Sequence, residues 1–594
     1  MIKKKQTENY IFALISVLLV CVAVAVMFDY YYDLNDDVLI KDIISGDYSG
    51  IPHSHNFQNL WSFSLLVSVI YRIIPNVSWY GMILIGFQFL SIFIIVERSL
   101  RIFDNEKIVE RLCVDDNKRI AFKGLFAISE SVIISILMLY HLSNVQYTVT
   151  VSFISAAAVL WVSTLEATDN LKKFVKSSVP AVLLVAAGYL IRPEMMLLML
   201  PFVGLSGVIR WSYEEHIFTF SNIKKYFLVF FIMVGIMGVG FASDKLAYSS
   251  SEWKEFIDLF NARTQLYDYQ VIPPYQGNES FYEGIGLSEQ EAVLFENYNF
   301  GIDSKIDADL MWEVVDYAKD KRSESKSFSE RFFEKLSIYK YEFTHGRNSV
   351  GSDYPYNIVV IALYLLVIAL SFGRRDYLGL LRPLVLFAGR SAIWMYILLG
   401  DRSPDRITHS LYLIEFAVLV GILVLELSQN DRKTSVVLTG IAVIVVLFIG
   451  LSIFVFKDQY NWVKADQENR VSTNNGYNEL YEYMASNKDS FYLMDVYSSV
   501  SYSEKIFGEL SRVSKSNTEI LGGWACNSPI QRDKLKGFGD SMEEALLNEG
   551  VFFVRKSNQP MDWLSSYYSN CGVEIAEEKI TDIGDFEIYD IGRK

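Results

Sequence analysis

Four cysteines in 594 residues are too few for a disulfide scaffold or a multi-cysteine zinc or iron–sulfur site. Charge is scarce as well. Charged residues make up 21% of the chain, against about a quarter in soluble proteins. Their sum of −15 has the wrong sign for a nucleic-acid binder. The chain has neither a Walker-type phosphate loop nor a GxGxxG after a strand-like run. It has no internal repeat and no low-complexity tract. What it has is apolar and aromatic residues, 51% and 15%, and a mean hydropathy of +0.22. That excludes a soluble enzyme, a disordered chain and a fibrous protein. It points to a polytopic membrane protein, because rings gather where lipid meets water.

Eleven apolar runs are long enough to count as spans or nearly so: Ile11–Phe28, Trp79–Val96, Leu125–Leu142, Thr148–Leu165, Val179–Ile191, Met195–Val208, Phe227–Ala247, Ile358–Phe372, Leu380–Leu399, Leu411–Leu427 and Val436–Phe456. Lys3, Lys4 and Lys5 precede the first run, which lacks a small-residue cleavage site and reads as an uncleaved span with its N-terminus cytoplasmic. Leu60–Ile74 is short, carries Arg72 and ends at Pro75. Counting it as a span would move the cluster Arg98, Arg101, Lys107, Arg111, Lys118, Arg119 and Lys123 outside. The positive-inside rule rejects that, so Leu60–Ile74 lies on or dips into the outer face.

Two hydrophilic stretches then fall outside. Asp244–Tyr354 has 21 acidic and 12 basic residues, and Lys457–Lys594 has 23 and 15. The predicted fold class is thus an α-helical polytopic membrane protein of about 11 transmembrane helices with an extracytoplasmic α/β C-terminal domain. The expected domains are a membrane domain over 1–456, with a first outer loop (29–76) and a large outer loop (244–355), and a C-terminal domain over 457–594. In the latter, strand-like runs are Phe491–Val496, Thr518–Leu521, Val551–Val554, Val573–Ala576 and Phe586–Tyr589. Helical patterns lie at Tyr477–Met484, Ser541–Leu547 and Trp563–Tyr568.

Chemistry has few places to sit. Asp36 and Asp37 open the first outer loop, just past a helix end. Adjacent carboxylates repel, so one of the pair should titrate high, and a carboxylate there is placed to take a proton from a hydroxyl; the competing reading is a hydrated acidic exit loop. Arg192-Pro193-Glu194 sits at the outer end of two short runs, where charged residues face the bundle interior. Arg192 suits a carrier phosphate, or else pairs with Glu194. Arg402 and Arg406, in Asp401-Arg402-Ser403-Pro404-Asp405-Arg406, form a second outer basic site for a phosphate headgroup, or else pair with Asp401 and Asp405. His53 and His55 are candidate substrate contacts. As a metal pair they lack further ligands, and Asp303, Asp307 and Asp309 lack the glycine and terminal glutamate of a calcium loop. Met195, Met196 and Met199 have the spacing of packing residues. Cys526 and Cys571 share the outer domain, so a bridge between them is feasible in an oxidising compartment.

The order of these elements carries a resemblance. A first span, an outer loop opening with Asp36-Asp37, the Gly46 and Pro52-His53 elements, and a short interfacial helix before the second span resemble the GT-C superfamily of membrane glycosyltransferases. That group includes protein O-mannosyltransferases, lipid A aminoarabinose transferases and oligosaccharyltransferases. The resemblance implies transfer of a sugar from a polyprenyl-phosphate carrier to an extracytoplasmic acceptor: a cell-envelope glycan, lipid or protein. It implies Asp36 as base, with Asp37 beside it. His55 falls roughly where mannosyltransferases have a histidine before Pro-Pro-Leu, but here Asn56 and Phe57 follow. The outer turn of Asn144, Gln146 and Tyr147 lacks the carboxylate some members carry there, so no cofactor is expected and a divalent metal has no residue to support it. The expected partners are a lipid-linked sugar donor and membrane lipid, with no nucleic acid and no protein partner signalled. The alternative function is a non-catalytic membrane scaffold, or a transporter, that binds a lipid-linked glycan. Transporters usually carry inverted repeats, which are missing here.

Overall fold

The computed structural model describes residues 2–104, 116–346, 349, 351–374, 376–377, 379–428, 434–508 and 513–594. Lys107, Arg111 and Cys113 lie outside the described residues.

Among the described residues, nine helices are long and apolar enough to cross a membrane. In the chain they fall in α1 (Ile2–Met27), α4 (Trp79–Ser99), α5 (Asp116–Leu137), α7 (Leu171–Ile191), α8 (Pro193–Trp211), α9 (Phe220–Ala247), α13 (Tyr356–Arg374), α14 (Leu381–Leu399) and α15 (Asp405–Ser428). Two of the eleven expected runs are outside this count. Thr148–Leu165 becomes α6 (Tyr147–Ser163), 17 residues long and buried at every position but Trp161, which makes it the centre of the bundle. Val436–Phe456 belongs to α16 (Thr434–Ser486), where side chains 434–449 and 451–454 lie outside the described residues. The short run becomes α3 (Trp61–Ile73), 13 residues, too short to span. Sequence chemistry sets the boundaries. Gln146 caps α6 by accepting from the Val149 amide. Pro193, which cannot continue α7, takes the first position of α8 and leaves Arg192 extended between the two helices.

One end of the bundle carries the described strands. There β1 (Tyr31–Tyr32) pairs in parallel with β2 (Asn144–Val145) and leads into α2 (Asn35–Ser45). The long loop after α9 forms α10 (Ser251–Tyr269), α11 (Ala308–Ser325) and α12 (Phe328–Thr344), with shorter turns between α10 and α11. Beyond α16 lies a five-stranded sheet of β3 (Phe491–Met494), β4 (Thr518–Ile520), β5 (Val551–Lys556), β6 (Ile575–Ile583) and β7 (Phe586–Arg593). Its order is β4–β3–β5–β7–β6; the first three strands run parallel, and β6 and β7 form an antiparallel hairpin.

The two-residue period of the strands divides the sheet's side chains between two cores. Phe491, Leu493, Val551 and Phe553 pack with Leu259, Leu266 and Val314 of the long loop after α9. Tyr492, Met494, Val554 and Ile588 belong to the apolar core shared with the membrane bundle. The expected division at 456/457 falls inside α16, and the long loop after α9 and the C-terminal sheet share one core.

Candidate functional site

The first helical turn after β1 separates the acidic pair. Successive residues on a helix point about 100° apart, so when α2 starts at Asn35, Asp36 and Asp37 face different ways. Asp37 turns inward and is fully buried. Its Oδ1 accepts from the Tyr80 hydroxyl at 3.0 Å and the Tyr147 amide at 3.2 Å. Burial, and then the charge of Asp36, hold its carboxyl well above the usual carboxylate range. Asp37 is therefore the high-titrating member of the pair, and it does not face the cavity. Asp36 does. Its Oδ1 accepts from the indole Nε1 of Trp524 at 3.0 Å.

The cavity has a volume of about 610 Å³. Asp36, Arg192, Glu194, Arg402 and Arg406 all line it, although three separate segments supply them. Arg263 of α10 adds a fourth arginine, and Asp268 a third carboxylate. Met195, Leu198 and Ile397, from spanning helices, form an apolar wall. The arginines differ in what holds them. Arg192 contacts Glu194 at 3.1 Å, donates to the Gln58 side chain and lies against the Tyr147 ring. Arg402 pairs with Asp268 at 2.5 Å. Arg263 donates to the Tyr298 hydroxyl at 2.6 Å. Neither Arg263 nor Arg406 makes an ion pair among the described residues. Two fixed arginines and two without a carboxylate on one wall suit a phosphate that meets a lipid tail.

The alternative of local pairing around Arg402 is not what forms: Asp401 pairs with Arg322 and Lys335 from the long loop after α9. His53 and His55 stay outside the cavity. His55 stacks on Trp253 at 4.7 Å, its Nε2 lies 3.3 Å from the Ala247 carbonyl oxygen, and burial lowers its basicity. His53 donates its backbone N–H to Ile43 and is kept below the usual histidine value by burial, then by His55 and Arg72. Asn144 donates to Asp466 at 3.0 Å, and Asp307 caps α11. Cys526 and Cys571 are free thiols, the first buried and the second exposed. Among the described residues no group of three or more histidine, cysteine or carboxylate side chains is placed to hold a metal ion.

Sequence reasoning passed over Arg263 and Trp524. Arg263 lay in a stretch read as a solvated acidic surface. Trp524 had a signal: Gly522-Gly523 precede it. A β-carbon at Gly522 would collide with the Tyr298 carbonyl, and Gly523 has φ +83°. Two adjacent glycines with these needs mark a loop pressed against another segment, and here it delivers the indole to Asp36.

No family model matches the chain, and no curated protein does. Among solved structures the chain is similar to the crystal structure of ArnT from Cupriavidus metallidurans bound to undecaprenyl phosphate, at 10% identity over 97% of each chain and a TM-score of 0.39.

Proposed function

We propose that the protein is a membrane glycosyltransferase that moves a sugar from a polyprenyl-phosphate donor to a hydroxyl-bearing acceptor at the domain-bearing face. The observation that carries this reading is that Asp36 and the arginines line one cavity. A binding scaffold or a transporter has no need of a carboxylate aimed at the phosphate site.

In the reaction, the acceptor oxygen attacks the anomeric carbon and the bond from that carbon to the phosphate oxygen breaks. Asp36 takes the hydroxyl proton. The leaving lipid phosphate gains negative charge, which Arg192, Arg263, Arg402 and Arg406 stabilise. Fixed charges aimed at a developing charge usually lower the barrier of such transfers more than any other device. Asp37, fully buried, orients α2 and contributes no proton transfer.

The test is transfer by Asp36→Asn in purified protein supplied with a panel of polyprenyl-phosphate sugars. Carrier release should fall by about 10²–10⁴-fold, the contribution of a positioned general base, with binding of undecaprenyl phosphate retained. Normal release by this variant removes the catalytic reading.

A further inference from the structure

Asp36, Arg263 and Trp524 form a partition. On one side lies the cavity described above; on the other lies a smaller chamber of about 150 Å³ that the same three residues line. The small chamber is enclosed between α2 and the edge of the sheet where β3 and β4 end. Asp36 thus borders both spaces.

The two chambers differ in charge. Four arginines and three carboxylates line the large one. Arg263 and Lys515 line the small one, with Asp36, Asp42 and Glu519. In the small chamber the charges beyond the partition are already matched: Lys515 lies 2.6 Å from Asp42, and Glu519 lies 3.0 Å from Lys534. Beyond Arg263 in the partition itself, no cation among the described residues of this lining is left without a carboxylate for a phosphate. What the far end offers is rings and hydroxyls. Tyr481 and Tyr502 meet edge to face at 5.2 Å, and the Lys515 ammonium lies 5.0 and 5.2 Å from their ring centres. Neither phenol hydroxyl makes a hydrogen bond among the described residues. Aromatic faces beside unpaired hydroxyls, without net charge, match the C–H faces and hydroxyls of a sugar ring.

We infer that the small chamber is the acceptor subsite, that it takes an uncharged saccharide, and that it presents one saccharide hydroxyl to Asp36 across the partition from the donor phosphate. This rests on the transferase reading above and names its acceptor class. Val500 stands on the lip of the chamber and is 40% exposed, so a larger side chain there can fill the space without entering a core.

Saturation-transfer NMR on the full-length protein in detergent tests the inference. The probes are methyl glucoside, methyl galactoside and methyl mannoside, with a serine-containing hexapeptide as the competing acceptor class; undecaprenyl phosphate binding is followed in parallel by native mass spectrometry. At least one glycoside should give signal with the wild type. Val500→Trp should abolish it, and Tyr502→Phe should weaken it by about tenfold, the loss of one hydrogen bond. Undecaprenyl phosphate should bind both variants as it binds the wild type. Three results overturn the acceptor subsite: no glycoside signal, a glycoside signal that survives both variants, or a hexapeptide signal that alone responds to them. A glycoside signal sensitive to both variants in a protein that does not bind undecaprenyl phosphate upholds the saccharide chamber and overturns the donor reading instead.

Discussion

The two ends of the helix bundle treat their basic residues in opposite ways. At the end bearing the N-terminus, the cations Arg119, Lys123, Lys225 and Arg382 are matched. Arg119 lies 2.8 Å from Glu8, Lys123 2.9 Å from Asp104, Lys225 3.1 Å from Glu214 and Arg382 2.7 Å from Glu426. At the opposite end, Arg263 and Arg406 line a cavity with no carboxylate of their own among the described residues. The first set looks to sequence reasoning like a topology signal; in the fold it is also a set of structural pairs. The second set is smaller and lies among acidic segments, yet it keeps its charge uncompensated. Number of basic residues sets orientation; lack of a partner marks a ligand site.

Breaking a matched pair should cost the most. Arg382→Met takes away the cation 2.7 Å from Glu426, a residue 1% exposed. We expect a stability loss of about 3–5 kcal/mol in denaturant titrations, with unchanged undecaprenyl phosphate affinity in the folded fraction. An unaltered transition would mean that these pairs serve orientation only.

Arg406→Ala should do the reverse. Its melting should match the wild type, while undecaprenyl phosphate binding weakens by about 1.5–3 kcal/mol, the usual size of a hydrogen bond to a charged group. Equal affinity in the two proteins would return Arg406 to the solvated surface.

Next comes the acidic pair. The carboxyl of Asp37 titrates higher in the folded protein than when unfolded. Folding therefore takes up a proton, and stability declines as pH rises from about 4 towards the folded value, by up to about 1.4 kcal/mol per unit. Asp37→Asn should flatten that part of the pH–stability curve. The same slope in both proteins would show that other groups set it.

The smallest effect belongs to Trp524→Phe, which removes one donor from Asp36 and keeps an aromatic ring. A loss of about 0.5–1.5 kcal/mol in transition-state stabilisation is expected, seen in kcat more than in KM. A change confined to KM would make Trp524 a substrate contact rather than a positioning residue.

The helices were legible because bilayer-spanning segments must satisfy their own backbone, which leaves long apolar runs. The strand runs near Phe491, Thr518, Val551 and Phe586 were legible for a different reason, as short apolar runs between turn-rich stretches. Arg192, Arg402 and Arg406 stood out because charge at the edge of an apolar run is costly. Their convergence with Asp36 is tertiary, and no spacing encodes it. Helix phase was the harder quantity: a start at Asn35 sends Asp37 into the core, and the sequence does not state where the first turn begins. His53 and His55 drew notice by residue type, but the rings of Trp253 and Tyr248 account for His55. Arg263 was hidden by the acidic average of its segment.

Helix α16 has a consequence for the membrane itself. Its 53 residues extend about 80 Å at 1.5 Å per residue, well over twice the roughly 30 Å hydrocarbon thickness of a bilayer. Gln467, Arg470 and Asn474 fasten its C-terminal half to the loop after α1 and to the segment before Lys505. That half stands as a mast, with the sheet and Trp524 in its rigging. Thin or thick bilayers tilt spanning helices. A lean of about 5° over the roughly 45 Å above the lipid moves the masthead by about 4 Å, longer than a hydrogen bond. Because the same helix is fastened to the loop that carries Asp36, α2 and the sheet move with it, and the pair of Trp524 and Asp36 is shielded from such a lean.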